Sequence, residues 1–96
     1  MESKKEISTV TNITQAAGLV AADKDGKKVM LNIDKGTYYG LDDIGSHIWD
    51  LLEVPRKIQE VVDLLLQEYD VEEKVCQHDV MLFINKLYDR GLVDID

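Results

Sequence analysis

"KGTYYGLDDIGSHIWDLL", residues 35 to 52, is where the period of the chain changes. Before it, apolar residues alternate, the spacing of a strand; after Asp42 they recur as Ile44, Ile48, Leu51 and Leu52, the spacing of one helical face. Asp42 or Asp43 can accept the free amides that open that helix. Gly45 inside it costs about 1 kcal/mol relative to alanine, so a neighbouring element packed closely against it is the expected compensation. The stretch therefore divides the chain into a strand half and a helix half.

In the strand half, Val29, Leu31 and Ile33 alternate with Lys28, Met30 and Asn32, the pattern of a strand with one buried face. "DKDG" at 23 to 26 supplies a turn, with Gly26 suited to positive φ, so that 19–23 and 28–33 form a hairpin. A second turn, "DKG" at 34 to 36, leads into 37–41, where Thr37, Tyr39 and Leu41 share one face and Tyr38 and Gly40 the other. A three-stranded meander results, which a short strand near Thr9 to Ile13 would extend.

In the helix half, Pro55 fits the first turn of a second helix with the stripe Ile58, Val61, Val62, Leu65 and Tyr69. Asp70 with Glu73 has the form of a capping box that starts a third helix, whose inner stripe is Cys76, Val80, Phe83, Ile84 and Leu87. Gly91 suits the left-handed residue that ends it, with Leu92 and Val93 folding back. The fold class is α+β, with strands preceding three helices in a single domain over 1–96 and a loose first half-dozen residues.

Composition excludes several functions. The 96 residues carry 19 acidic against 11 basic side chains, a formal charge of −8, which opposes broad binding to nucleic acid or anionic membranes. A lone cysteine, Cys76, rules out a disulfide framework and any paired-cysteine metal motif. No apolar run approaches the roughly 20 residues of a membrane span, and a reducing, cytoplasmic setting is expected. The six glycines are scattered, so no phosphate-binding loop exists, and Cys76 lies on an apolar stripe where a thiol is inert. His47 and His78 fall on different helices, and Cys76 and His78, two apart, point to different sides of one helix. Neither catalysis, nor a metal, nor a cofactor is expected.

A binding role remains. Beside the inner stripe of the third helix runs a second set, Val75, Asp79, Leu82 and Lys86, half of it apolar. It is either the margin of a widely buried face or the wall of a groove with charged rims. Strand 37–41 is the last strand of any length, so one of its edges is open to an added strand; alternatively its tyrosines are plain strand formers. Trp49, one residue off the first helix's stripe, is expected in the core.

The run "GTYYGLDDIGSHIWDLL", then "EVVDLLLQEYDVEE", then "DVMLFINKLYDRGLVD", resembles the PqqD-like proteins, recognition elements for ribosomally made, modified peptides. The shared pattern is a strand ending in "YY.L", a "G..IW.LL" helix, a helix ending "L...Y.V" and a closing "DV..F...L...GL", across residues 18 to 95. This resemblance implies a winged helix-turn-helix-like fold, a three-stranded antiparallel sheet on three helices. It implies that the leader segment of a precursor peptide adds as a strand beside Thr37, Tyr38, Tyr39, Gly40 and Leu41. The helix wall it implies is Val75, Asp79, Leu82, Phe83 and Lys86. In the lasso-peptide branch, which this chain looks most like, a separate cysteine protease removes the leader and a cyclase closes the ring; other branches serve radical or other modifying enzymes. A monomer or weak homodimer is expected.

From another class, a winged-helix DNA regulator shares the element order. It requires a basic reading helix. Residues 72 to 90 hold Glu72, Glu73, Asp79 and Asp89 against Lys74, Lys86 and Arg90, a net −1.

Overall fold

The computed structural model describes residues 7–25 and 27–95. Its elements are β1 (Asn12–Gln15), β2 (Leu19–Lys24), β3 (Lys27–Asn32), β4 (Thr37–Gly40), α1 (Asp43–Leu51), β5 (Arg56–Lys57), α2 (Ile58–Glu68), α3 (Glu73–Asp89) and β6 (Val93–Ile95). They form an α+β fold with two three-stranded antiparallel sheets, ordered β2-β3-β4 and β5-β1-β6.

The meander is as its alternation predicts, but its buried face is the opposite one. Met30 is fully buried, whereas Leu31 and Ile33 are exposed. Pairing puts Ala21, Met30 and Tyr39 in one row, of which Met30 and Tyr39 are covered by the core while Ala21 is exposed, and Val20, Leu31 and Tyr38 in one row on the open side. Both faces are apolar enough to be buried, and the helices select the Met30 side. At the first turn Asp25 takes φ +55°, and Gly26 lies outside the described residues. The second turn is closed by Asn32, whose side-chain oxygen accepts the Lys35 amide at 3.1 Å, with Gly36 at φ +65°.

The strand expected near Thr9 to Ile13 begins at Asn12 and belongs to the other sheet, where it pairs with β5 and β6. It also closes the end of α1, which has no basic residue in its last turn. Gln15 donates its amide to the Leu52 carbonyl at 3.1 Å and its side chain to the Trp49 carbonyl at 2.9 Å, and Arg56 Nε donates to the Leu51 carbonyl. These bonds satisfy carbonyls that a helix end leaves orphaned.

Two helix starts differ from expectation. Pro55 precedes α2 rather than opening it, because Arg56 and Lys57 are drawn into the ladder with Ile13 and Asn12; Glu60 then accepts the Lys57 amide at 2.8 Å. At α3 the boundary residue is Glu72, without a side-chain cap, so the Asp70–Glu73 box does not form. The far end of α3 is as predicted. Gly91 takes φ +74°, its amide donates to Tyr88, and the Leu92 amide donates to Leu87, closing a Schellman motif. Leu92 and Val93 are buried, and Val93 continues into β6. The presumed loose first half-dozen residues lie outside the described residues.

The core joins Ile13, Met30, Ile48, Trp49, Leu52, Val61, Leu65, Ile84 and Leu87, all at most 3 % exposed. Trp49 therefore sits in the core.

Candidate functional site

Among the described residues β4 has one partner, β3, and its other edge is unpaired. Which backbone groups face that edge follows from the register. In an antiparallel pair, facing residues alternate between those that exchange hydrogen bonds and those that do not. The Leu41 amide donates to the Lys28 carbonyl at 2.8 Å, so the Lys28–Leu41 pair bonds, and two residues on so does Met30–Tyr39. Tyr38 and Gly40, opposite Leu31 and Val29, are the non-bonded positions, and their N–H and C=O groups point outward. The amide of Tyr39 belongs to the ladder inside the sheet.

The side chains sort accordingly. Tyr38 is 73 % exposed on the open face, Tyr39 is half-buried toward the helices, and Leu41 is in the core. Gly40 is exposed, and a β-carbon on it would meet nothing within 4 Å, so the fold itself does not require glycine there. A missing side chain at an outward backbone position lets another backbone approach closely.

Two cavities lie at the two ends of β4. The first, about 250 Å³, is walled by α1, α2 and α3 through Ile44, Ile48, Tyr69, Val75, Phe83 and their neighbours, with Asp42 and Asp79 as its charged members. The second, about 220 Å³, lies between the start of β4 and the end of α3 and includes Lys35, Thr37, Tyr38, Tyr39 and Arg90. Phe83 belongs to the first and Arg90 to the second, two helical turns or about 10 Å apart. The three steps from Thr37 to Gly40 span about the same length. α3 thus meets β4 through Arg90 on the Tyr39 ring, whereas the first cavity is walled by the helices and nears the strand through Asp42, two residues past its end.

Gly45 shapes the first cavity. A β-carbon there would lie 3.1 Å from the Phe83 ring and 2.9 Å from Asp42 Oδ1, which accepts the Gly45 amide at 2.7 Å as the helix cap. The close packing expected of Gly45 is therefore with Phe83. At the second cavity the Arg90 guanidinium lies 4.9 Å from the centre of the Tyr39 ring, a cation–π contact.

Of the helix residues singled out from sequence, Val75, Asp79 and Phe83 come together in the first cavity. Leu82 and Lys86 are exposed and line neither cavity. Lys35 and Arg90 are not among the peptide-binding residues that the resemblance implies; Arg90 lies four and seven residues beyond Lys86 and Phe83 on the same helical face, which is the available signal. Cys76 is buried at the floor of the first cavity, and burial first, then the charges of Asp79 and Glu73, push its thiol above the ordinary value. His47 is engaged with Tyr69 Oη at 3.4 Å and Glu68 at 3.6 Å. Among the described residues no three His, Cys, Asp or Glu side chains converge as a metal site would require, and no helix is long and apolar enough to cross a membrane.

Fold and edge together define a small winged-helix-like α+β module with an open strand beside a helix. The model of the family described as "Coenzyme PQQ synthesis protein D (PqqD)" matches residues 27–93, and the chain belongs to that family. It is similar to the solved structure of TbiB1 in complex with the TbiA(beta) leader peptide. The identity is 34 %, with a TM-score of 0.78, over 84 % of this chain and 94 % of that one. It also shares its fold with lasso peptide synthetase B1 complexed with the leader peptide, at 23 % identity and a TM-score of 0.77, over 85 % of this chain and 96 % of that one. A search of curated proteins found no match.

Proposed function

We propose that this protein is a non-catalytic adaptor, a single domain that binds the leader segment of a ribosomally made precursor peptide by strand addition to β4. The observation that carries this reading is the outward backbone of Tyr38 and Gly40 beside the face of α3. A peptide laid there exchanges main-chain hydrogen bonds with Tyr38 and Gly40 and sends alternate side chains toward the two cavities. Thr37 and Tyr39 form the sheet side of the site, with Leu41 beneath its far end. Val75, Asp79 and Phe83 form the helix side, with Leu82 and Lys86 at its rim. The likeness to two B1 proteins held with leader peptides supports this assignment.

The partner enzymes are a leader-cleaving cysteine protease and, in the same pathway, a cyclase, all in the cytoplasm. Holding the leader turns the enzyme's encounter with the precursor into a nearly intramolecular event, so the adaptor acts through effective concentration and needs no chemistry of its own. A modifying enzyme of another pathway is the alternative partner of the same surface. DNA binding is disfavoured by the formal charge of −8 and by the acidic balance of α3.

The test is titration of the isotope-labelled protein with a synthetic peptide spanning the leader of the precursor encoded beside it, followed by backbone amide NMR. Saturable shifts at Tyr38, Gly40 and along α3 are expected. No shift with peptide, and saturable shifts with duplex DNA, would replace the adaptor by a regulator.

A further inference from the structure

The two cavities differ in charge, and the difference has a direction. At the end where β4 enters α1, the charged members are Asp42 and Asp79, one from each wall. One oxygen of Asp42 accepts the Gly45 amide, which leaves the other open to a ligand; among the described residues Asp79 forms no ion pair. Between them lie Ile44, Val75 and Phe83, an apolar floor suited to the methylene stem of a lysine or arginine whose head reaches the carboxylates. That the charge of Asp79 helps hold the buried Cys76 thiol in its protonated form places its field inside the cavity.

At the opposite end the charged members are Lys35 and Arg90. Lys35 Nζ comes within 3.9 Å of the position a β-carbon on Gly91, the residue after Arg90, would occupy, and both cations line this one cavity although they lie far apart in sequence. Among the described residues neither has a carboxylate partner; Arg90 rests on the Tyr39 ring, a stacking that leaves its in-plane N–H donors free for a carboxylate. In a chain of formal charge −8, two cations left unneutralised at one end of a binding cleft are a local reversal of the molecule's field.

Building on the strand-addition reading, we infer that the site selects its peptide by charge polarity: a cationic side chain at the Asp42–Asp79 end and an acidic one at the Lys35–Arg90 end. The same charges fix the direction in which the peptide lies. Every pairing in this sheet is antiparallel, and antiparallel pairing is the more stable per residue. An antiparallel peptide enters at Asp42 and leaves at Thr37, so its cationic residue precedes its acidic one. Only alternate side chains face α3, and the ends are five steps apart along the chain, Thr37 to Asp42, so the ligand's charges stand about four or six positions apart. A peptide inserted the other way would set like charges against each other at both ends, which is how a short strand is kept in one register.

The experiment is selection of random peptides of about twelve residues, long enough to cover both ends at the strand rise, by surface display on the full chain and on an Asp79→Lys, Arg90→Glu double variant, in which each end keeps one charge of either sign. Circular dichroism melts establish that the variant is folded. Peptides with Lys or Arg followed four or six positions later by Asp or Glu are expected from the wild type, and no charge order from the variant, whose two ends are each neutral. Exchanging the two charges within one selected peptide should weaken it roughly tenfold, from two rim-exposed pairs of up to about fivefold each, and less so in high salt. Peptides that lose binding when their backbone amides are N-methylated, yet show no charge order with the wild type or the same order with both proteins, overturn this inference and leave strand addition standing. Selected peptides indifferent to N-methylation overturn both.

Discussion

Tyr39 faces Met30 as a hydrogen-bonded pair, whereas its neighbour Tyr38 faces Leu31 as a non-bonded one. This parity divides two adjacent tyrosines between two tasks. The backbone of Tyr39 holds β4 to β3, and the backbone of Tyr38 is offered to whatever lies beyond the edge.

Proline at the two positions should therefore act in opposite ways. Tyr38→Pro removes an outward N–H that no other strand uses, on an edge strand where proline is tolerated. It should fold with a nearly unchanged melting temperature and lose leader affinity roughly tenfold or more. Tyr39→Pro breaks the ladder and should cost about 1–3 kcal/mol of stability. Thermal melts with calorimetric titration of the leader peptide check both. Tyr38→Pro binding as tightly as wild type would show that the added strand does not use this edge.

The approach of Gly45 to Phe83 leads to a second expectation. Alanine at 45 gains about 1 kcal/mol of helix propensity, but its methyl group meets both the Phe83 ring and the capping oxygen of Asp42. Overpacking costs roughly 1–3 kcal/mol and a weakened cap about another 1 kcal/mol, so the clash outweighs the propensity gain. Gly45→Ala should lower the melting temperature by several degrees and displace the Phe83 ring, visible in its aromatic NMR signals. A raised melting temperature would mean that the ring yields freely and does not define the cavity.

Cys76 offers a chemical probe of the same cavity. Its thiol is held above the ordinary value of 9.0, chiefly by burial. At pH 8 less than about a tenth is thiolate, so iodoacetamide should react far more slowly with the folded chain than with the chain in urea. Leader peptide seated over the cavity should slow it further. The linkage has a definite sign: the folded state binds this proton more tightly, so the contribution to stability is full below pH 9 and falls as pH rises through the folded value. Lys28, raised by its hydrogen bond to Asp50, acts in the same sense above 10.5. A Cys76→Ala variant should keep only the higher of these alkaline losses.

The sequence is most legible where a single period governs ten or more residues. The switch at Asp42, the stripe of α3 and the stop at Gly91 all follow from spacing and cap chemistry. Legibility fails where partners lie far away in the chain. β5 and β6 are two and three residues long, too short for any period, and exist because β1 pairs with both. The burial of Met30 in place of Leu31 was decided by which side the helices occupy, not by hydrophobicity. Tyr38 and Gly40 as outward-facing groups follow from a register that alternation alone cannot supply. Lys35 and Arg90 meet only after the hairpin and the third helix have folded together.

The last expectation separates the floor of the helix wall from its rim. Val75 and Leu82 are about equally exposed, at 48 % and 55 %, and lie seven residues, two turns, apart on α3. Val75 lines the first cavity; Leu82 lines neither. At such exposed positions aspartate changes stability by no more than about 0.5 kcal/mol, so any loss of binding reports the site rather than the fold. Val75→Asp puts a carboxylate into the apolar wall and should weaken leader binding about fivefold, because the lost apolar contact with the peptide outweighs the attraction that a third carboxylate adds for a cationic side chain. Leu82→Asp should weaken it less, since a rim residue mainly excludes water from the contact. Titration calorimetry of both variants checks the order. If Leu82→Asp is the more damaging of the two, the peptide crosses the outer shoulder of α3 and the cavity behind Val75 is not its seat.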